Sequence, residues 1–345
     1  MTHKIGALIV SLASSALSAD ERDILRHPLI GGVVLFARNY VSREQLTTLC
    51  RQVRAVRKTP LLIMVDQEGG RVQRFVTEFT RLPKMADLGA YYDLYPEKAL
   101  ALAKACGWLM AIELISNGLD MSLAPVLDLN KGVNAAINGR AFHADPASVV
   151  ALSTSFMAGM REAGMAATVK HFPGHGSVMP DSHVSTPVDL RSFDVLATDD
   201  LVPFVHQIKQ QVPAVMAAHV IFPAVDPARV GFSPVWLKTI LRKQLGFKGV
   251  ILSDDLNMEG ANISSHYVDR VVAAREAGCD LALLCNNFKG VVQVLDRLPY
   301  ELHLLAEDQW GALKAKGTET SPPFENMPRW HETRQRLNEL SCVIS

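Results

Sequence analysis

Polar side chains stand where a series of short apolar runs ends: Asp66 after LLIMV (61–65), Lys170 and His171 closing 166–171, His219 within 214–220, Asp254 and Asp255 after GVILS (249–253), and Asn286 after 280–285. Asp128 follows the run at 120–126 in the same way. Carboxylates, imidazoles and amines that share one basin can carry nucleophilic or acid–base chemistry. Surface accident would scatter them round the molecule instead. A second group lies in KHFPGHGSVMPDSH (170–183), where Asp181 stands two residues before His183. In an extended loop, residues i and i+2 face one side, so the Asp181 carboxylate can hold one imidazole nitrogen and leave the other to exchange a proton. The unperturbed imidazole pKa of about 6.5 suits that exchange near neutrality. Two blander readings stand beside these: Asp254 caps the following helix, and a lone loop histidine is merely solvated. His171, His175, His183, His219 and Asp254 could also gather round a metal ion, but no pair has the short helical spacing of HExxH, and no metal is expected. Gly69 and Gly70 after Glu68 lack both a following Lys-Ser/Thr and a GxGxxG pattern, so no nucleotide or other cofactor is expected.

Positioning such groups takes short strands alternating with helices. Eight strand candidates read along the chain at 5–12, 32–37, 61–66, 120–126, 166–171, 214–220, 249–254 and 280–285. VVLF (33–36), LLIMV and GVIL (249–252) are almost continuously apolar, as parallel strands buried on both faces should be. Helix signals fall between them. Ser18 with Glu21, and Ser42 with Gln45, can form capping boxes; Ser233-Pro234 can open a helix that Gly246 stops, and Gly278 can end VDRVVAAREA. VVQVLDRL follows the last strand, and PRWHETRQRLNEL is a further amphipathic helix. The pattern predicts an α/β chain folded as a single (β/α)8 TIM barrel over 1–345, with a C-terminal helical extension from about 322. In that architecture catalytic groups cluster at the C-terminal ends of the strands, where the polar residues above fall.

Composition narrows the partners. Lys+Arg and Asp+Glu both total 35, so no global field favours nucleic acid or an anionic membrane, and neither is expected as a partner. The five cysteines (Cys50, Cys106, Cys279, Cys285, Cys342) show neither zinc spacing nor a disulfide framework and read as reduced, buried small residues. Lys4, the apolar run from Ile5 to Leu17 and LSA (17–19) imitate a secretory signal with its cleavage site. The preferred reading is a buried strand, because its removal would cost the barrel one of eight. No apolar stretch is expected to approach the roughly 20 residues that span a membrane.

KHFPGHGSVMPDSH resembles a motif of glycoside hydrolase family 3, and VDQEGGRVQRF (65–75) with ILSDDLNM (251–258) narrows the likeness to the NagZ-type β-N-acetylglucosaminidases. The similarity runs from about Gly31 to Asn287 and takes in NGLDMSLAPVLDLN (117–130) and AFHADP (141–146). It implies a retaining glycosidase with Asp254 as nucleophile, His183 as acid/base partnered by Asp181, and Asp66, Arg74, Arg140, Lys170 and His171 positioning the sugar. Asp255 is expected to hydrogen-bond structurally, and Asp128 and His219 to hold the pocket. INGR (137–140) departs from the I-G-x-R of relatives, which leaves Arg140 the weakest of the set. The loop between Gly174 and Asp181, with its glycines and proline, is expected to bend and to carry His183 over the bound sugar. Family β-glucosidases commonly take their acid/base residue from an additional domain, for which this chain has no room. The implied substrates are muropeptide fragments, GlcNAc-1,6-anhydro-MurNAc peptides, cleaved by a monomeric cytoplasmic enzyme in peptidoglycan recycling, with cell-wall biogenesis and cell division as the wider process. A metal-dependent hydrolase and a non-catalytic sugar-binding barrel are the rival readings.

Overall fold

Strands buried on both faces become the staves of a barrel. The computed structural model describes residues 5–59, 61–179, 186–299, 304–316 and 323–344. Its barrel strands are β1 (Leu8–Ser11), β2 (Ile30–Leu35), β3 (Leu62–Val65), β4 (Met121–Ser122), β5 (Thr168–Phe172), β6 (Ala214–Ala217), β7 (Val250–Asp255) and β8 (Leu281–Leu284). Each pairs in parallel with its chain neighbours, and β8 returns to β1 with Ala282 opposite Leu8. The β4–β5 seam is closed by the parallel bridges Met121–Ala166 and Val126–Lys170. The two-residue period of a strand explains the unbroken apolar runs. Leu62, Met64, Val250, Leu252, Leu281 and Leu283 fill the lumen, while their neighbours Ile63, Val65, Ile251, Ala282 and Leu284 pack outward against the helices.

All eight expected strands are present, and their ends differ for local reasons. The run at 5–12 contributes β1, whereas Ile5–Gly6 pairs antiparallel with Leu304–Leu305 below the barrel. The second strand lies at Ile30–Leu35 rather than 32–37, because the Asn39 side chain accepts the Phe36 N–H and turns the chain into a short helical turn. The fourth is far shorter than 120–126: Pro125 has no N–H to give the ladder, and only Val126 rejoins it.

The Ser18–Glu21 capping box forms in both directions. At the next helix, Arg43–Arg54, only half of the expected box exists. Ser42 accepts the Gln45 N–H, but the Gln45 amide turns away to Val41, Ser15 and Asn39. Ser233 caps the helix Val235–Gln244, whose last turn closes with an i→i+5 bond from Leu245 to Ile240 before Gly246. Cys50, Cys106, Cys279 and Cys285 are buried and unpaired, as expected; the Cys342 side chain lies outside the described residues.

One expectation fails. The helix Pro96–Ser116 is long and apolar enough, by length and composition, to cross a membrane. Lys104 and Glu113 break the run and hid it in the sequence. In the fold, 72% of its most apolar window is buried inside the protein. Much of that burial is against Pro146–Glu162, and glycines make the crossing possible: a Cβ on Gly107 would sit 2.0 Å from the Phe156 carbonyl oxygen, and one on Gly159 would sit 1.9 Å from that of Lys104. The helix Pro328–Ile344 covers the same region. Its Trp330 Nε1 donates to Glu113 Oε1 at 2.8 Å, beside two donors from Thr80. Burial still pushes the Glu113 carboxyl above its usual range, against those three hydrogen bonds.

Gly107→Ala is expected to destabilise the protein by about 1–3 kcal/mol in urea unfolding, because the methyl group must separate two packed helices. Gly311→Ala, at an exposed position of a short helix with nothing within 4 Å of the added Cβ, should instead gain about 0.5–1 kcal/mol.

Candidate active site

A cavity of about 450 Å³ opens at the C-terminal ends of the strands, and Asp66, Arg74, Arg140, Lys170, His171 and Asp254 all line it. The expected sugar-positioning set and the expected nucleophile therefore share one basin. Its organiser is a residue the sequence reading passed over. Glu68, 2% exposed, accepts a two-pronged pair from Arg140 Nε and Nη2, both at 2.8 Å, and a third bond from Lys170 Nζ at 2.6 Å. Lys170 Nζ also lies 2.8 Å from Asp66 Oδ1, and Arg74 Nη2 lies 3.6 Å from Asp66 Oδ2. Burial would raise Glu68, but Arg140 and Lys170 more than reverse it and hold the carboxyl far below its usual range. Burial likewise pulls Lys170 down, and Asp66 and Glu68 outweigh it, so the ammonium stays charged.

Local structure places each of these groups. After β3 the chain turns into a hairpin, Gln67–Gly69 with Val72–Gln73. The Gln67 amide locks it by accepting from Arg74 and Phe75 N–H and donating to the Phe75 carbonyl. Asp66 and Glu68 are two residues apart and turn the same way, a spacing from which Glu68 could have been found. Arg140 answers the doubt raised by INGR: it reaches the basin, where Glu68 takes up its fork and the Ala136 carbonyl accepts a further bond at 3.1 Å. Lys170 and His171 are adjacent on β5, yet both line the cavity; the peptide between them is cis.

His171 Nδ1 lies 2.6 Å from Asp128 Oδ2, which fixes the tautomer with Nε2 facing the cavity and 3.5 Å from Arg140 Nη2. Asp128 is fully buried. Burial raises its pKa, but the His171 ring and backbone N–H, together with the nearby His175 ring, bring it below the usual range. This is the pocket-holding role expected of it. His175, cradled by Asn134 at 3.0 Å, is a further wall, which the sequence had offered only as a candidate metal ligand. His219, expected to hold the pocket, is buried and stacked on Phe232 with ring centroids 5.6 Å apart, and it is not among the residues that line the cavity. Burial keeps it, like His175, below the ordinary histidine range.

Asp254 ends β7, and its Oδ1 accepts the Asp255 N–H at 2.8 Å. Asp255 Oδ1 accepts the N–H groups of Asn257 and Cys285, the structural role expected. Asp181 and His183 lie outside the described residues. The described start of their loop shows a further use of its glycines. Gly174, at a φ of +136°, and Gly176 are also points of close packing: an added Cβ would meet the Asp200 side chain at 2.6 Å and the Leu129 carbonyl oxygen at 1.8 Å. Among the described residues no three His, Cys, Asp or Glu side chains converge on a position that could hold a metal ion.

The family model of the glycosyl hydrolase family 3 N terminal domain matches residues 1–308. A beta-hexosaminidase of Thiobacillus denitrificans is 51% identical over 294 residues, covering 85% of this chain and 82% of its own. One from Tolumonas auensis is 49% identical over 334 residues, covering 96% and 97%. Among solved structures, NagZ from Neisseria gonorrhoeae in complex with N-trifluoroacetyl-D-glucosamine superposes with a TM-score of 0.92 at 40% identity, over 98% of both chains.

Glu68→Gln should lower stability by about 3 kcal/mol at neutral pH, since it leaves two buried cations underpaired. The folded-state pKa of Glu68 is depressed, so its contribution is complete above the ordinary Glu value of about 4.3 and is lost as the pH falls below it. The gap between wild type and variant in urea unfolding should accordingly narrow on acidification.

Proposed function

This chain belongs to the family of the glycosyl hydrolase family 3 N-terminal domain and is a glycoside hydrolase, and we propose that it releases terminal, non-reducing β-linked N-acetylglucosamine with retention of configuration. The observation that carries the proposal is the meeting, in one cavity, of the Asp254 carboxylate with the clasp of Asp66, Glu68, Lys170 and Arg140. Carboxylates accept sugar hydroxyls and the cations donate to hydroxyl and carbonyl oxygens, so the clasp can hold a polar ring while Asp254 faces its anomeric carbon. The relatives named beta-hexosaminidase, identical at about half of all positions, supply the choice of an N-acetylated sugar.

In the first half-reaction an Asp254 oxygen attacks the anomeric carbon as the bond to the leaving oxygen breaks, and His183 gives that oxygen its proton. The product is a glycosyl ester on Asp254. In the second half, His183 takes a proton from water, whose oxygen attacks the same carbon from the vacated face and frees Asp254. Asp181 holds the other imidazole nitrogen through both steps. Arg74 and His171 complete the contacts to the sugar. The family resemblance extends the reading to muropeptide fragments as substrates, in peptidoglycan recycling by a monomer in the bacterial cytoplasm.

Asp254→Ala is expected to abolish turnover on p-nitrophenyl N-acetyl-β-glucosaminide and to keep cooperative unfolding. Appreciable activity in that variant would reject Asp254 as nucleophile. Proton NMR of the first product should show the β anomer; an α product excludes the covalent intermediate. A His183→Ala variant given an activated aryl glycoside should accumulate a glycosyl adduct, found by mass spectrometry on the peptide containing Asp254. The N-acetylglucosaminide should be cleaved in strong preference to the glucoside, and the reverse order would overturn the substrate assignment.

A further inference from the structure

The acid/base assignment leaves a mechanical question, because both arms of the loop that bears His183 must be held for one imidazole to meet one oxygen. The described arms converge on a single buried carboxylate. On the outgoing arm, Gly174 packs against the Asp200 side chain with no room for a Cβ, and Ser177 Oγ donates to Asp200 Oδ1 at 3.4 Å. On the returning arm, Arg191 forks onto its own Asp189, with Nη2 2.6 Å from Oδ2 and Nε 3.0 Å from both oxygens. Its remaining nitrogen, Nη1, donates to Asp200 Oδ2 and reaches Asp199 at 3.5 Å. Asp199 is held in turn by Lys131 at 2.9 Å. The arm is also sewn to the chain after β6: Ile221 N donates to the Pro187 carbonyl, and Asp189 N donates to the Ile221 carbonyl. Asp200 is 1% exposed, and among the described residues Arg191 is the cation that meets it. A buried carboxylate with one cationic partner holds that partner firmly, because separation leaves an uncompensated charge.

We propose that Arg191 is a positioning residue for the proton transfer: by joining Asp189 to Asp200 it fixes both arms of the loop to one point and so sets where His183 can stand. Arg191 touches no reacting atom in this scheme. It acts through His183, and the inference rests on the acid/base reading given above. A lysine could keep the charge beside Asp200 but lacks the planar fork that spans Asp189 and Asp200 together.

The test is kcat/KM across aryl N-acetyl-β-glucosaminides, from 2,4-dinitrophenyl, which departs without a proton, to unsubstituted phenyl, which needs one. Arg191→Lys should slow the phenyl substrate by about 10-fold or more, a share of what a general acid contributes, and the dinitrophenyl substrate by less than about 3-fold. Asp189→Asn, which frees the returning arm and leaves Arg191 on Asp200, should show the same steepening and decides the matter if Arg191→Lys does not fold. Equal slowing of both substrates is what a merely structural role would give, and it would overturn the inference. His183→Ala is measured alongside. If it slows both substrates alike, the acid assignment fails and this inference with it; if it discriminates where Arg191→Lys and Asp189→Asn do not, only the role of Arg191 is lost.

Discussion

A carboxylate cut off from water can stay ionised only if cations come to it, and Glu68 imposes that condition on three parts of the barrel. The hairpin after β3 brings Glu68 itself, the segment after β4 brings Arg140, and β5 brings Lys170. Because losing one partner of a buried pair costs several kcal/mol, none of the three can shift without the others. The practical result is a lysine amine held 2.8 Å from Asp66 and turned to the cavity that Asp254 also lines. Preorganisation of this kind comes from the support beneath the contacting groups more than from those groups themselves.

The histidines obey a different rule. His171 has its Nδ1 proton committed to Asp128, while His175 and His219 are kept neutral by burial. Lys170, Arg74, Arg140 and the carboxylates supply the fixed charges of the basin. The His175 imidazole can shape the pocket wall without adding charge beside the nucleophile.

The barrel was legible because its signal is repeated. Eight short apolar runs alternating with helical patterns, most of them ending near a polar residue, leave few architectures open, and the strand-end rule then brings Asp66, Lys170, His171 and Asp254 together. What escaped the sequence depends on contacts between distant segments. Nothing in INGR tells that Arg140 will clasp Glu68, and Asn134 is an ordinary loop residue until the fold sets it under His175. The ends of β2 and β4 were misread for similar reasons, since Asn39 acts through its side chain and Pro125 through a missing donor. The glycines of the 174–176 stretch read as points of bending, and nothing in the sequence tells that their smallness also serves packing.

Closure of the barrel has a consequence for how the chain folds. β1 lies between β2 and β8, so one of its edges must wait for residues 281–284, and the small ladder beneath it must wait for 304–305. Contacts of such sequence separation are entropically slow to form, and an unsatisfied strand edge invites pairing with other chains in the meantime. During synthesis from the N-terminus, the open side of β1 remains available for intermolecular association until nearly the whole barrel has emerged, which makes late folding intermediates the vulnerable species in the life of this protein.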